Sequence, residues 1–307
     1  MHWKTFLAAA LSALLTTAAQ AWDDTGHLLI AEIAAQRLRP EVLHKMEELT
    51  PLLDTHFSGG RPYNVITAAV WLDDLRALGQ ANPWKTWHYI DVPCAGSTFT
   101  EPPPPHALWA LDQAVPVLRS PEATPQARAE ALAQVMHIVG DIHQPLHTAT
   151  RNDRGGNGVS LVPVGGPGGP ANLHAFWDAA CRYDVLEGRI TELLERPGRA
   201  TRPQEPGEMG VVSVGARTLL AEAAKHPEAP AVPADQHPWR QWARETHTLA
   251  CQSAWPAPET PQINGPQQLT PEFVHQSHEL ALQQILKAGT RLGDLLNDVL
   301  GEPAERR

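Results

Sequence analysis

The chain has 307 residues, 42% of them hydrophobic and 19% charged, which supplies a sizeable core and excludes a disordered polyelectrolyte. Lys plus Arg number 24 against 34 for Asp plus Glu, so a general basic coat for nucleic acid is excluded and any polyanion must be held locally. The 29 prolines point to short, firmly stopped segments, and the 15 histidines are the first lead to chemistry.

Residues Met1 to Ala21 combine a short basic start (His2, Lys4), an apolar run from Phe6 to Leu15 and a small-residue end, Ala19-Gln20-Ala21. This is the pattern of a secretory signal peptide. A membrane anchor needs about 18 or more apolar residues, and this run stops at Thr16 and Thr17. Cleavage after Ala21 is expected to release residues 22–307 as one domain, starting at Trp22, into the periplasm or the medium. Losing Lys4 leaves 23 basic against 34 acidic residues, a formal charge of −11. In such an oxidising compartment Cys94, Cys181 and Cys251 allow one disulfide and one spare thiol, with all three pairings open. The chain has no Asn-x-Ser/Thr sequon.

Helical spacing dominates the chain from Trp22 onward. Asp24 or Thr25 can cap a helix carrying Leu28, Ile30, Ala31, Ala34 and Leu38, and Pro40 ends it while opening a second helix through Leu49. A third apolar run, Val65 to Leu78, stops at Gly79. Gln126 to Ile142, Leu173 to Cys181, Val185 to Leu194, Val211 to Ala224, Trp239 to Trp255 and Pro271 to Leu300 repeat the 3.6-residue period. The Gly-rich stretch Asn152 to Pro170 contains Val159-Ser160-Leu161-Val162-Pro163-Val164, which suits one short β-hairpin. The expected fold is all-α, a single multi-helix domain with the C-terminal helices as packing partners. Trp71, Trp84, Trp87, Trp109, Trp177, Trp239, Trp242 and Trp255 fall to the core, and Asp23, Asp24 and Asp74 to solvent or to helix caps.

His137 and Asp141 stand four apart on one predicted helix, and His174 and Asp178 on another, so each pair projects from one face. One such pair is ordinarily a surface contact, whereas two in one chain point to a metal. The stretch His137-Ile138-Val139-Gly140-Asp141-Ile142-His143-Gln144-Pro145-Leu146-His147 holds three His and one Asp in eleven residues. Pro145 breaks the helix so that His147 can turn back, and Gly140 removes a side chain beside the candidate ligands. These donors are nitrogens and carboxylate oxygens, which zinc accepts.

With Trp22-Asp23-Asp24-Thr25-Gly26-His27, Trp71-Leu72-Asp73-Asp74-Leu75-Arg76, His88-Tyr89-Ile90-Asp91, Asp153-Arg154-Gly155-Gly156-Asn157 and Asn172-Leu173-His174-Ala175-Phe176-Trp177-Asp178 in that order, the chain resembles the zinc-dependent single-strand nucleases of the S1/P1 type, which share a fold with bacterial zinc phospholipases C. The resemblance implies three zinc ions: one on Asp73, His88 and His137, a second on His147, His174 and Asp178, and a third on His27 with the amino nitrogen and carbonyl oxygen of Trp22. Asp141 would bridge the first and third, and His143 would support the ligands. It further implies hydrolysis of single-stranded DNA and RNA to 5′-phosphates, the metals activating water and stabilising the departing 3′-oxygen. Arg76 would meet the phosphoryl oxygens, Tyr89 would stack on an unpaired base and Asp91 would accept from base N–H groups. Asp73, Arg76 and Asp141 are thus the expected catalytic residues. Gly155, Gly156 and Asn157 would shape a turn that delivers the next segment to the cluster. A 3′-nucleotidase action would suit the same centre, and a monomer with no stable membrane association is expected. A zinc phospholipase C is the rival reading, disfavoured by Tyr89 and Asp91 and by the lack of a basic amphipathic helix. A non-catalytic exported zinc-binding protein is the second, and it would leave Arg76 idle.

Overall fold

Ten α-helices and two small two-stranded pairs make up the described part of the computed structural model, which covers residues 22–96, 98–194, 202, 211–225, 237–257 and 265–301. The expected signal peptide lies outside these residues. Helix α1 (Asp24–Ala35) starts at Asp23, whose carboxylate accepts from the Thr25 and Gly26 amides at 3.0 and 3.4 Å. Its residues are buried from Asp24 through Ala34, as befits a central helix. Helix α2 (Pro40–Leu49) opens on proline and buries only Val42, Met46 and Leu49, one stripe at i, i+4, i+7.

The run from Val65 is less regular than expected. It passes through a 3-10 turn at Thr67–Val70, the short helix α3 (Trp71–Asp74) and a second 3-10 segment, Leu75–Ala81, kinked at Gly79. After strand β1 (Val92–Pro93) comes α4 (Ala107–Arg119), a helix that the apolar spacing does not predict. Helix α5 (Pro125–Asp141) is capped by Thr124 and carries His137 and Asp141 in its buried last turn. Helix α6 (Pro145–Thr148) follows directly and leads into β2 (Ala149–Thr150). Strands β1 and β2 pair in parallel, Val92 opposite Ala149, and the Ile90 amide donates to the His147 carbonyl at 2.8 Å. That register sets the His88 segment beside the His147 segment.

Residues 159–173 fold back on themselves, with Leu161 N–H to Ala171 O and Leu173 N–H to Val159 O. The expected hairpin is reduced there to one isolated bridge, Ser160 to Asn172, because Leu161 also bridges to Gln267. Helix α7 (Leu173–Asp178) follows, capped by Asn172. The segment expected as a helix over 185–194 is instead the antiparallel pair β3 (Tyr183–Leu186) and β4 (Arg189–Glu192). Glu187 and Gly188 turn it with φ of 52° and 74°, the positive values a two-residue hairpin loop demands. Helices α8 (Val211–Lys225), α9 (Trp239–Ser253) and α10 (Pro271–Leu300) complete the described residues.

Helix α10 packs along α1 at Gly289, where a Cβ would lie 2.6 Å from Ile33 Cβ, so only glycine permits that approach. Trp71, Trp177, Trp239, Trp242 and Trp255 are buried, and Trp84, Trp87 and Trp109 are half-buried against the same core. Of the three open pairings, Cys94–Cys251 is the disulfide, tying the end of β1 to α9, while Cys181 is a buried free thiol. No described helix is long and apolar enough to cross a membrane.

Candidate metal centre

Three groups of ligand-type side chains converge within the fold: Asp73, His88 and His137; His147, His174 and Asp178; and His27, His137 and Asp141. Within each, the candidate donor atoms lie within 4.8 Å of one another. The side chains come from α1, α3, the loop before β1, α5, α6 and α7, so distant segments meet at one place. A fourth set, Cys94, His247 and Cys251, meets the same distance limit, but its cysteines are joined in the disulfide and offer no thiolate.

Asp141 stands at the junction. Its Oδ2 lies 3.1 Å from His88 Nδ1 and 3.2 Å from His137 Nε2, while Oδ1 faces His27 Nε2 at 3.4 Å. Asp73 Oδ1 lies 3.4 Å from His137 Nε2 and 3.7 Å from His88 Nδ1. Backbone carbonyls fix several rings: His137, His147 and His174 donate from Nδ1 to Ala69 O, His88 O and Gly155 O at 2.7, 2.6 and 2.6 Å. A carbonyl only accepts, so Nδ1 carries the proton and Nε2 is left as the electron-pair donor toward the centre.

Gly140 makes the approach of α1 possible. A Cβ there would lie 3.0 Å from His27 Nδ1 and 3.3 Å from Ile30 Cδ1. The same residue's carbonyl accepts from the Trp22 indole Nε1 at 3.0 Å, and the Asp23 amide donates to Asp178 O at 2.9 Å. Trp22 is therefore held buried between α5 and α7, at the edge of the centre.

His27 Nδ1 and Nε2, His88 Nε2, Asp141 Oδ1 and Asp178 Oδ2 are buried and make no hydrogen bond. Such orphans cost stability unless something meets them, and all five belong to side chains of the three converging groups. Burial pushes the His88 pKa down to about 4 and drives Asp178 well above the carboxylate range. His27 is lowered by burial and by neighbouring His137. His137 runs the other way: burial opposes its charge, but Asp141 and Asp73 raise it to about 10. Asp141 is held well below the usual range as burial is overcome by His137. Among these imidazoles His137 is the one whose surroundings favour the charged form, and a divalent ion can supply that charge when the ring binds metal as a neutral ligand.

Arg76 Nη2 lies 2.7 Å from Asp73 Oδ1. Its Nη1 makes no hydrogen bond and is left to meet a further anion. Tyr89, next to His88 in the chain, and Asp91 are half-buried, and the Asp91 carboxylate lies against Gly155. Burial and nearby Asp153, opposed by His147, push Asp91 up to about 6. His143 stands apart: its Nδ1 donates to Val139 O at 2.7 Å and its Nε2 accepts from Arg291 at 2.9 Å.

Gln144 has no role legible in the sequence, although it lies in the histidine-rich stretch. It is buried, donates from Nε2 to Asp178 Oδ1 at 2.6 Å and accepts from the Leu146 amide at 2.5 Å. The expectation of solvent or a helix cap holds for Asp23 and is corrected for Asp24 and Asp74. Asp23 caps α1 and pairs with Arg182, while Asp24 and Asp74 are buried around Arg202. Buried carboxylates persist where cations pair with them.

Fold and centre together define a helical protein built around a cluster of metal-ligand side chains. The S1/P1 nuclease family model matches residues 22–301, and the chain belongs to that family. It is 25% identical to "Endonuclease 1" of Arabidopsis thaliana over 296 residues, covering 92% of this chain and 88% of the relative. It is 22% identical to "Nuclease P1" of Penicillium citrinum, covering 91% and 98% respectively. A 58-residue segment, 19% of each chain, is 41% identical to "Nuclease S1" of Aspergillus oryzae.

Proposed function

We propose that this single-strand endonuclease is an exported three-zinc phosphodiesterase that cleaves single-stranded DNA and RNA to 5′-phosphate products. The observation that carries the reading is the set of buried, unbonded ligand atoms on His27, His88, Asp141 and Asp178 in a chain of the S1/P1 nuclease family. The donor set fits zinc: imidazole nitrogens and carboxylate oxygens, with second partners holding the rings. Asp73, His88 and His137 would hold one ion, His147, His174 and Asp178 another, and His27 with the amino nitrogen and carbonyl oxygen of Trp22 the third, Asp141 bridging the first and third. Zinc, when bound, supplies Lewis acidity, lowering the pKa of water and offsetting charge on the phosphate.

The chain's own residues do the rest. Arg76 donates to the phosphoryl oxygens and orients them over Asp73 and Asp141. Tyr89 offers a ring face to one base and Asp91 accepts from that base's N–H groups. A duplex keeps those faces stacked, so unpaired strands are favoured. The Trp22 amino group, with an ordinary pKa of about 7.7 to 8.0, ligates only when free and deprotonated. Cleavage after Ala21 is then the activating step. The Cys94–Cys251 disulfide suits an oxidising compartment outside the cytoplasm. The enzyme works as a monomer on soluble strands, residues 22–307 forming one catalytic unit, with 3′-nucleotidase action on the same centre.

The test is incubation of the zinc-loaded protein starting at Trp22 with a single-stranded oligonucleotide and, separately, with choline phospholipid vesicles. Oligonucleotide fragments bearing 5′-phosphates support the proposal. Phospholipid hydrolysis without strand cleavage would replace it with the phospholipase reading. Unchanged activity in both Asp141→Asn and Arg76→Ala would remove the mechanism.

A further inference from the structure

Asp24 and Asp74 are not in the metal centre, yet each adjoins it. Asp24 is two residues from Trp22 on the first turn of α1, and Asp74 follows Asp73 on α3. They are 5% and 2% exposed, and one guanidinium joins them. Arg202 donates from Nε and Nη2 to Asp24 Oδ2 at 3.1 and 2.8 Å. It donates from Nη1 to Asp74 Oδ2 at 2.6 Å and from Nη2 to Asp74 Oδ1 at 3.1 Å. The Tyr63 hydroxyl adds a donor to Asp74 Oδ2 at 2.8 Å. Arg202 is itself 7% exposed. Burial opposes its charge, but the two carboxylates more than offset that and raise its pKa above the usual value.

Resting on the three-zinc reading, we propose that Arg202 is a positioning residue of the metal centre. By clamping Asp24 to Asp74 it fixes the first turn of α1 against α3. That contact sets the separation between the Trp22/His27 ligands and Asp73, and so the two zinc positions that share Asp141. The remaining group, His147, His174 and Asp178, is built on α6 and α7 and has its own supports in His88 O, Gly155 O and Gln144. The clamp therefore acts directly on two sites and reaches the third only through the Asp23 amide on Asp178 O. A planar fork bonding two carboxylates at once is a task for arginine, since a lysine ammonium neutralises them without fixing their mutual geometry.

The experiment compares zinc content and zinc affinity, by competition with a coloured chelator, for the wild type, Arg202→Met and Arg202→Lys, all starting at Trp22. The expected result is three zinc ions in the wild type. In Arg202→Met two are weakened by about 10- to 100-fold, as when other ligand-supporting groups are lost, and one is held as before. Arg202→Lys falls between, with kcat reduced more than KM is raised. If Arg202→Met does not fold, Arg202→Lys alone gives the reading, two ions weakened and one unchanged. Wild-type affinities in both variants would overturn the proposal, as would equal weakening of all ions, the mark of a purely structural role. A wild-type count other than three overturns the stoichiometry proposed for the enzyme, and Arg202 is then judged by whether the variants bind metal differently from the wild type.

Discussion

The imidazole of His27 on α1 stacks on that of His137 on α5, with ring centroids 3.9 Å apart and planes 17° from parallel. Both rings face the Asp141 carboxylate, His27 Nε2 toward Oδ1 and His137 Nε2 toward Oδ2. Two imidazoles in contact cannot both hold protons cheaply, which accords with His27 being lowered and His137 raised. The stack joins the two candidate ligand groups that share His137.

Gly140 is what allows the stack. Gly140→Ala puts a Cβ 3.0 Å from His27 Nδ1, so the ring must shift by a few tenths of an ångström. The expected cost is about 1–3 kcal/mol of stability, with lower zinc occupancy at the His27 site. Thermal unfolding with metal analysis measures both, and unchanged values would show that α1 yields freely.

Gln144 holds Asp178 by a 2.6 Å hydrogen bond. Gln144→Ala is expected to weaken one zinc ion by about 10- to 100-fold, leaving the other two near their wild-type affinity. Chelator competition reads this, and a uniform change across all ions would contradict the assignment.

Two pairs of the candidate ligands are legible in the sequence because their spacing is local: His137 with Asp141, and His174 with Asp178, each lie one helical turn apart. Gly140 and the Pro145 break can be read for the same reason. Partners far apart in the chain cannot. Nothing near Asp24 or Asp74 announces that Arg202 will bury both, so they read as solvated acids. Val185 to Leu194 satisfies a helical spacing, but a run that short fits either period. Glu187-Gly188 between β-branched Val185 and Ile190 decides for a hairpin. Helix α4 hides behind the Pro102 to Pro105 run and the internal Pro116, residues that ordinarily mark loops and that here sit before the first turn and in the last. For Val159 to Val164 the hidden partner is Gln267, more than a hundred residues away.

His143 gives a pH signature without being a ligand. Burial and Arg291 push its pKa down to about 3, against about 6.5 in the unfolded chain. Between those values the unfolded state holds one more proton at this position, so metal-free stability rises with pH by about 1.4 kcal/mol per unit from this group alone. That contribution is complete above about pH 6.5 and is lost as pH falls toward 3. Urea unfolding of metal-free wild type and His143→Gln at pH 4, 5, 6 and 7 should give a shallower slope in the variant. Parallel curves would mean that His143 titrates normally.

In the proposed function, base recognition would rest on Tyr89 and Asp91. Tyr89→Ala should raise KM for a single-stranded oligonucleotide by about tenfold, in line with about 1–3 kcal/mol per stacked base, with a smaller effect on kcat. Asp91, raised to about 6, accepts as an anion above that pH and loses this capacity below it. KM in the wild type should therefore climb as pH falls through 6, over and above any change seen in Asp91→Asn. Identical pH profiles would take Asp91 out of the pocket.

The most direct test of the centre as a whole uses two zinc-loaded preparations, one beginning at Trp22 and one with an extra Met before it, given the same single-stranded oligonucleotide. Only the first is expected to cut, leaving 5′-phosphates, because an added residue removes the free amino ligand beside His27. Equal cutting by both would contradict the Trp22 site, and no cutting by either would contradict the nuclease centre itself.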